Sequence, residues 1–161
     1  HEENLRPTNS EEIQRVRNGE NALGLHTLKP YDEFKGRILK IKEELKKFIV
    51  AEKNKGKKIH VCGASTKGNI LLQFLEIDKS FIEAASDVNQ DKWGKRTPGT
   101  GIPIISEEES RRKNPDYYLV LPWHFREEII EREKEFLKRG GQLIFPLPNP
   151  EIIGAGSIEK N

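Results

Sequence analysis

Residues 58–75 read Lys58-Ile-His-Val-Cys-Gly-Ala-Ser-Thr-Lys-Gly-Asn-Ile-Leu-Leu-Gln-Phe-Leu75, and the fold is decided here. The β-branched run from Ile59 to Val61 predicts a buried strand. Gly63 breaks it, and Ile70, Leu71, Phe74 and Leu75 then recur at helical spacing. In a strand, turn and helix of this kind the free N–H groups of the first helical turn point one way. The positive end of the helix dipole and the side chains of Ser65, Thr66 and Lys67 point the same way, so an anion fits there. One reading is a phosphate or pyrophosphate site made by Gly63, Ala64, Ser65, Thr66, Lys67 and Asn69. The plainer alternative is a connection that Ser65 or Thr66 merely caps. Two well-known loops are excluded. Asn69 and Ile70 follow Gly68 where a phosphate loop has Lys and Ser/Thr, and Ser65 stands where a dinucleotide loop has its second glycine.

Working outward, the chain offers more strands and helices in alternation. Ser10 to Val16 predicts a short helix capped by Ser10 and stopped at Asn18-Gly19, followed by a connector to Pro30. His26, a lone histidine in that connector, reads as a surface or interface residue. From Tyr31 to about Lys53 the apolar residues Tyr31, Phe34, Ile38, Ile41, Leu45, Phe48 and Ile49 keep one helix face apolar. Phe81 to Asp87 predicts a second strand ending in an acid. An acid there often accepts from ribose hydroxyls in doubly wound nucleotide folds, and capping of the following turn is the alternative role for Asp87.

The loop 88–101 is long, polar and glycine-rich, the kind more often functional than not. Within it Trp93 either stacks on a base or folds back as a plug. Ile102 to Ile105 is a brief edge strand, Ser106 opens a helix with a capping box, and Asn114-Pro115 closes it. Asp116 to Leu121 is a further buried strand, followed by Pro122-Trp-His-Phe125, a helix from Arg126 to Arg139, and a last strand Gln142 to Phe145. The stretch after Pro146 reads as tail.

This order gives an α/β, Rossmann-like domain with a mainly parallel sheet and helices on both faces, preceded by an N-terminal helical arm. Ligands of such sheets lie at the carboxyl ends of strands near a switch in strand order. The Gly63 to Lys67 turn, Asp87 and the Pro122 to Phe125 loop, with Trp123 and His124, are therefore expected to converge.

Composition narrows the function. The 161 residues carry 28 basic and 26 acidic side chains, a net charge of +2 that argues against a nucleic-acid or anionic-membrane partner. No apolar run reaches membrane-spanning length. The single cysteine, Cys62, excludes an internal disulfide, fits a reducing, cytoplasmic setting, and reads as a packed thiol rather than a nucleophile. Methionine is absent even at position 1, so the chain reads as a piece of a longer protein.

Several motifs occur together: Gly63-Ala-Ser-Thr-Lys-Gly-Asn69, Pro98-Gly-Thr-Gly-Ile-Pro-Ile104, Pro115-Asp-Tyr-Tyr-Leu-Val-Leu-Pro-Trp-His124 and Gly140-Gly141. In this order they resemble the C-terminal domain of S-adenosylmethionine-dependent C-methyltransferases acting on nucleotide-linked deoxysugars, over about Leu23 to Pro148. The resemblance implies residues 1–30 as a linker or arm from a preceding domain, 31–148 as the Rossmann-like domain and 149–161 as tail. It implies a nucleotide-diphosphate sugar as ligand and the preceding methyl-donor domain as partner. S-adenosylmethionine and zinc are implied for domains outside this sequence, and no cofactor for this one. The Gly63 to Asn69 turn would then face the diphosphate, with Asp87 or Trp123 at the nucleoside and His124 as a substrate contact or loop anchor. No residue is assigned to catalysis or to a metal. The alternative is a Rossmann-like domain that no longer binds nucleotide and only braces the methyl-donor domain.

Overall fold

In β1 (Ile59–Cys62) the side chains of Ile59 and Val61 enter one apolar cluster, while Cys62 enters a second on the opposite face. That alternation is the period-two signature of a strand, and all four residues are buried because helices cover both faces. The chain is described by a computed structural model over residues 9–158. Positions 1–8, read above as a linker or strand remnant, lie outside the described residues.

The chain separates into two compact units, one up to Lys40 and one from Ile41 onward. In the first, α1 (Ser10–Ala22) starts one residue earlier than expected. Asn9 is its cap, accepting from the Glu12 N–H at 3.1 Å. The helix also passes through Asn18-Gly19 rather than stopping there, and it buries no residue. The next helix, α2 (Lys29–Asn54), begins with Pro30 in its first turn, where a missing N–H costs nothing. Tyr31 and Phe34 on it are more than half exposed.

In the second unit, the later part of α2 buries Ile41, Leu45 and Ile49. Glu52, near its end, accepts from the Tyr117 hydroxyl at 2.9 Å and from Lys55 at 2.6 Å. The sheet runs β3-β2-β1-β4-β5-β6, with β2 (Ala84–Ser86), β3 (Ile104–Ile105), β4 (Tyr117–Val120), β5 (Gln142–Phe145) and β6 (Glu151–Ile153). All pairs are parallel except β5 with β6. The order reverses at β1 and β4, the switch point of a doubly wound sheet.

On the face of Ile59 and Val61 lie α2 and α3 (Thr66–Leu75), whose buried residues are Leu71, Leu72 and Leu75, while Ile70 is largely exposed. On the other face Tyr118 meets Ser110 of α4 (Glu107–Arg112), and Phe136 and Leu137 of α6 (Lys134–Lys138) pack with Ile129 of α5 (Arg126–Arg132). The single helix expected from Arg126 to Arg139 is thus two, divided at Glu133. The side chain of that residue is buried and paired with Arg111 at 2.9 Å.

The expected tail contains β6 and a final short helix, α7 (Ala155–Ile158). Three residues give too short an alternation to distinguish a strand from a loop in the sequence. The loop 88–101 lies along the outer edge of β3, where Gly94 N–H donates to Ile104 O and Ile104 N–H to Lys95 O. No described helix is long and apolar enough to cross a membrane.

Candidate functional site

The turn after β1 is made by Gly63 at φ +84°, a left-handed conformation that favours glycine. Ser65 then caps α3, its hydroxyl accepting from the Gly68 N–H at 3.1 Å. The N–H groups of Ser65, Thr66 and Lys67 have no acceptor among the described residues. The side chains of Thr66 and Lys67 are exposed, and Ala64 is buried. The capping reading and the anion reading therefore coexist, since one cap satisfies one donor and leaves three aimed outward. Asn69 is half-buried, and its Oδ1 is shut from solvent with no partner.

Asp87 lies at the end of β2 and is 8 % exposed. One carboxylate oxygen accepts from the Ala64 N–H at 2.9 Å and from Lys92 Nζ at 2.8 Å. The other accepts from the Asn89 N–H at 2.9 Å. Lys92 also donates to the Ala64 carbonyl at 3.0 Å, closing a small ring around the turn. Burial alone would raise the Asp87 pKa, but Lys92 and the two N–H donors outweigh it and hold the acid below its ordinary value. Of the two roles set out for Asp87, the turn-capping one is made here in full, and the same carboxylate tethers the anion turn. Sequence reasoning misses Lys92 as its partner, although a lysine five residues after Asp87 in a long glycine-rich loop is a usable signal. Trp93 donates its indole N–H to the Asp87 carbonyl at 2.7 Å and remains 39 % exposed, so one edge is anchored and part of the ring is open.

Replacing Asp87 by Ala leaves the Ala64 N–H and the Lys92 ammonium without their acceptor. We expect a stability loss of about 2 kcal/mol by urea unfolding. Amide exchange should quicken at Ala64 and Asn89 before it does in the sheet.

The Pro122 to Phe125 segment sits after β4, with a 3₁₀ turn over Trp123–Phe125. A Cβ placed on Gly63 would lie 3.0 Å from Pro122 Cδ, so this loop touches the anion turn. Gly68 is closer still to Leu121: an added Cβ would fall 2.5 Å from its Cδ1. Three of the expected segments therefore meet, but Trp123 and His124 face elsewhere. They line a cleft of about 480 Å³ together with Phe145, Leu147, Asn149 and Glu151. The His124 ring is exposed and contacts the rings of Trp123 and Phe125, at centroid distances of 5.9 and 4.4 Å. Glu151 is held by two bonds from Arg126, at 3.0 and 2.9 Å, and Arg126 lies over the Phe145 ring at 5.6 Å. Reading the segment after Pro146 as tail conceals this half of the region.

Cys62 is 4 % exposed, and burial pushes its thiol up to about 12 even though the Arg132 guanidinium, 3.4 Å from Sγ, acts to lower it. It is a packed thiol with no nucleophilic character at neutral pH. Among the described residues no group of three His, Cys, Asp or Glu side chains could hold a metal ion.

A family model for the C-methyltransferase C-terminal domain matches residues 1–148, from the N-terminal arm through β5. The chain is also similar to the C-methyltransferase NovU of Streptomyces niveus, at 37% identity over 138 residues. The alignment covers 86% of this chain and 33% of that protein, so the chain spans about a third of that relative's length. With a family match over nearly all of its strands and both faces of its sheet, the chain belongs to the C-methyltransferase C-terminal domain family.

Proposed function

We propose that this chain is the substrate-binding domain of an S-adenosylmethionine-dependent C-methyltransferase, holding a nucleotide-diphosphate deoxysugar for a methyl-donor domain elsewhere in the parent protein. The observation that carries the reading is the start of α3. Three unpaired N–H groups, the dipole end and the exposed Lys67 meet at the switch point of the sheet, and Asp87 tethers them from behind. A diphosphate there would be bound by backbone donors and one ammonium, and its sugar would be presented outward. Catalysis by such a domain is orientation: a sugar carbon fixed in line with a methyl donor loses the entropic part of its barrier. The domain alone would be inactive, and its setting cytoplasmic.

Zinc does not fit this chain's residues. Its one thiol is buried under Arg132, and no three-ligand group exists among the described residues. A nucleoside cofactor seated through Asp87 fits poorly as well, because that carboxylate is already bonded three times. We therefore give Asp87 a positioning role and leave the diphosphate to Ser65, Thr66 and Lys67.

Replacing Lys67 by Ala should weaken thymidine diphosphate binding about tenfold, roughly 1.4 kcal/mol, while thymidine binding stays unchanged. Amide-shift titration of the labelled chain reads both affinities, and equal losses for the two ligands would remove the phosphate assignment. A second role, bracing the methyl-donor domain, is favoured by the exposed side chains of Ile13, Val16, Leu28, Tyr31 and Phe34. Silence of the Gly63 to Asn69 amides towards every nucleotide would leave that role alone standing.

A further inference from the structure

The cleft beyond Pro122 has no part in the phosphate assignment, yet it adjoins it. Gly63 abuts one side of Pro122, and the next residue, Trp123, forms a wall of the cleft. Trp123 is half-buried and packs against both apolar clusters of the domain, so its ring is held in place. The buried ring of Phe145 and the side chain of Leu147 continue the apolar lining, and the exposed amide of Asn149 stands at the rim. A volume of about 480 Å³ is within the range of sites for small organic ligands.

Three properties select among occupants. The lining is aromatic and aliphatic, which suits a flat heterocycle stacked on Trp123. The one cation, Arg126, is already paired with Glu151 and Glu127, so the cleft offers no spare charge for an anion. The rim amide of Asn149 can both donate and accept, matching a ring edge on which donors and acceptors alternate. We infer that this cleft holds the nucleobase of a nucleoside diphosphate, with Trp123 as the stacking face and Asn149 reading the ring edge. The inference rests on the diphosphate reading for the start of α3. With the diphosphate there, the reacting sugar must turn outward to a methyl donor, and the nucleoside is the end left to this domain.

The test uses the full 161-residue chain carrying Trp93→Phe, which makes Trp123 its single tryptophan. Thymidine diphosphate, guanosine diphosphate and inorganic pyrophosphate are titrated separately, with Trp123 emission and calorimetric affinity as readouts. At least one nucleoside diphosphate should quench Trp123 and bind tenfold or more tighter than pyrophosphate, while pyrophosphate leaves the emission unmoved. Whichever base does so is thereby identified. Asn149→Phe, at an exposed position that spares the core, should abolish that advantage and leave pyrophosphate binding intact. Equal affinities for all three with unmoved emission would overturn the base site while sparing the phosphate reading. Quenching that is unaffected by Lys67→Ala would do the reverse, supporting the base site and removing the phosphate assignment. Absence of binding by all three would overturn both.

Discussion

Gly68→Ala should destabilise the domain by about 2 kcal/mol, although alanine is normally the better helix former. The added Cβ would sit 2.5 Å from Leu121 Cδ1, 2.7 Å from its Cβ and 3.0 Å from its Cγ. Leu121 is 1 % exposed and held by a bond from its N–H to the Cys62 carbonyl, so it has nowhere to go. Overpacking of this kind costs about 3 kcal/mol at its upper range, against a helix-propensity gain of about 1 kcal/mol. The strain falls between α3 and the end of β4, so the anion turn should shift and diphosphate affinity should drop along with stability. Urea unfolding of Gly68→Ala, Leu121→Ala and the double variant reads the coupling. A double variant that costs clearly less than the sum of the singles identifies the contact, and simple additivity would show that the two side chains do not collide.

Acid should weaken the fold well above the pH at which carboxylates protonate, and His60 is the reason. Its side chain lies on β1 with no exposed surface, with Nδ1 2.8 Å from Ser110 Oγ, which in turn lies 2.9 Å from the Tyr118 hydroxyl. Its Nε2 has no partner among the described residues. Burial lowers the imidazole from 6.5 to about 4, with Glu83 and Glu109 pulling upward and Lys113 and Lys58 adding to the fall. Between these two values the unfolded chain takes up the proton and the folded one does not. Stability therefore declines as pH falls from about 6.5 to 4, with a total loss of about 3 kcal/mol, and His60 adds nothing further below that. Wild type and His60→Gln, compared by urea unfolding from pH 7.5 to 4.5, should diverge in slope: the variant starts lower and stays nearly flat down to pH 5. A wild-type curve as flat as the variant's would mean that His60 is not held neutral inside the folded domain.

How much of the fold is legible in the sequence depends on how far each signal reaches along the chain. The runs Ile59 to Val61 and Tyr117 to Val120, each succeeded by a turn residue and a helical pattern, carry their structure locally, and they are the two strands at the switch point. Ser106 declares its helix through the acid three positions on, and it does cap the Glu109 N–H at 3.0 Å. The misplaced features depend on distant partners. Ile70 repeats at the same spacing as Leu71, yet it faces solvent, because the helix's roll is set by the closeness of Gly68 to Leu121. The strand β6 exists because β5 offers it a ladder and Arg126 holds Glu151, neither of which a proline-rich stretch announces. At the site the position of Asp87 is readable and its occupation is not. A carboxylate at a strand end looks the same in sequence whether it waits for a ligand or already holds Ala64, Asn89 and Lys92.

The strand β3 is two residues long, and the chain immediately before it runs back along its outer side. Gly94 and Lys95 bond to Ile104 there, and Thr97 N–H donates to the Ile102 carbonyl. On this flank the sheet offers no open ladder of N–H and C=O groups that another polypeptide could extend. A protein docking against this border must recognise side chains, such as the exposed Arg96 and Val88, and cannot gain hold by strand addition. The same arrangement guards against self-association through backbone pairing, the usual hazard of a sheet whose margin is left bare.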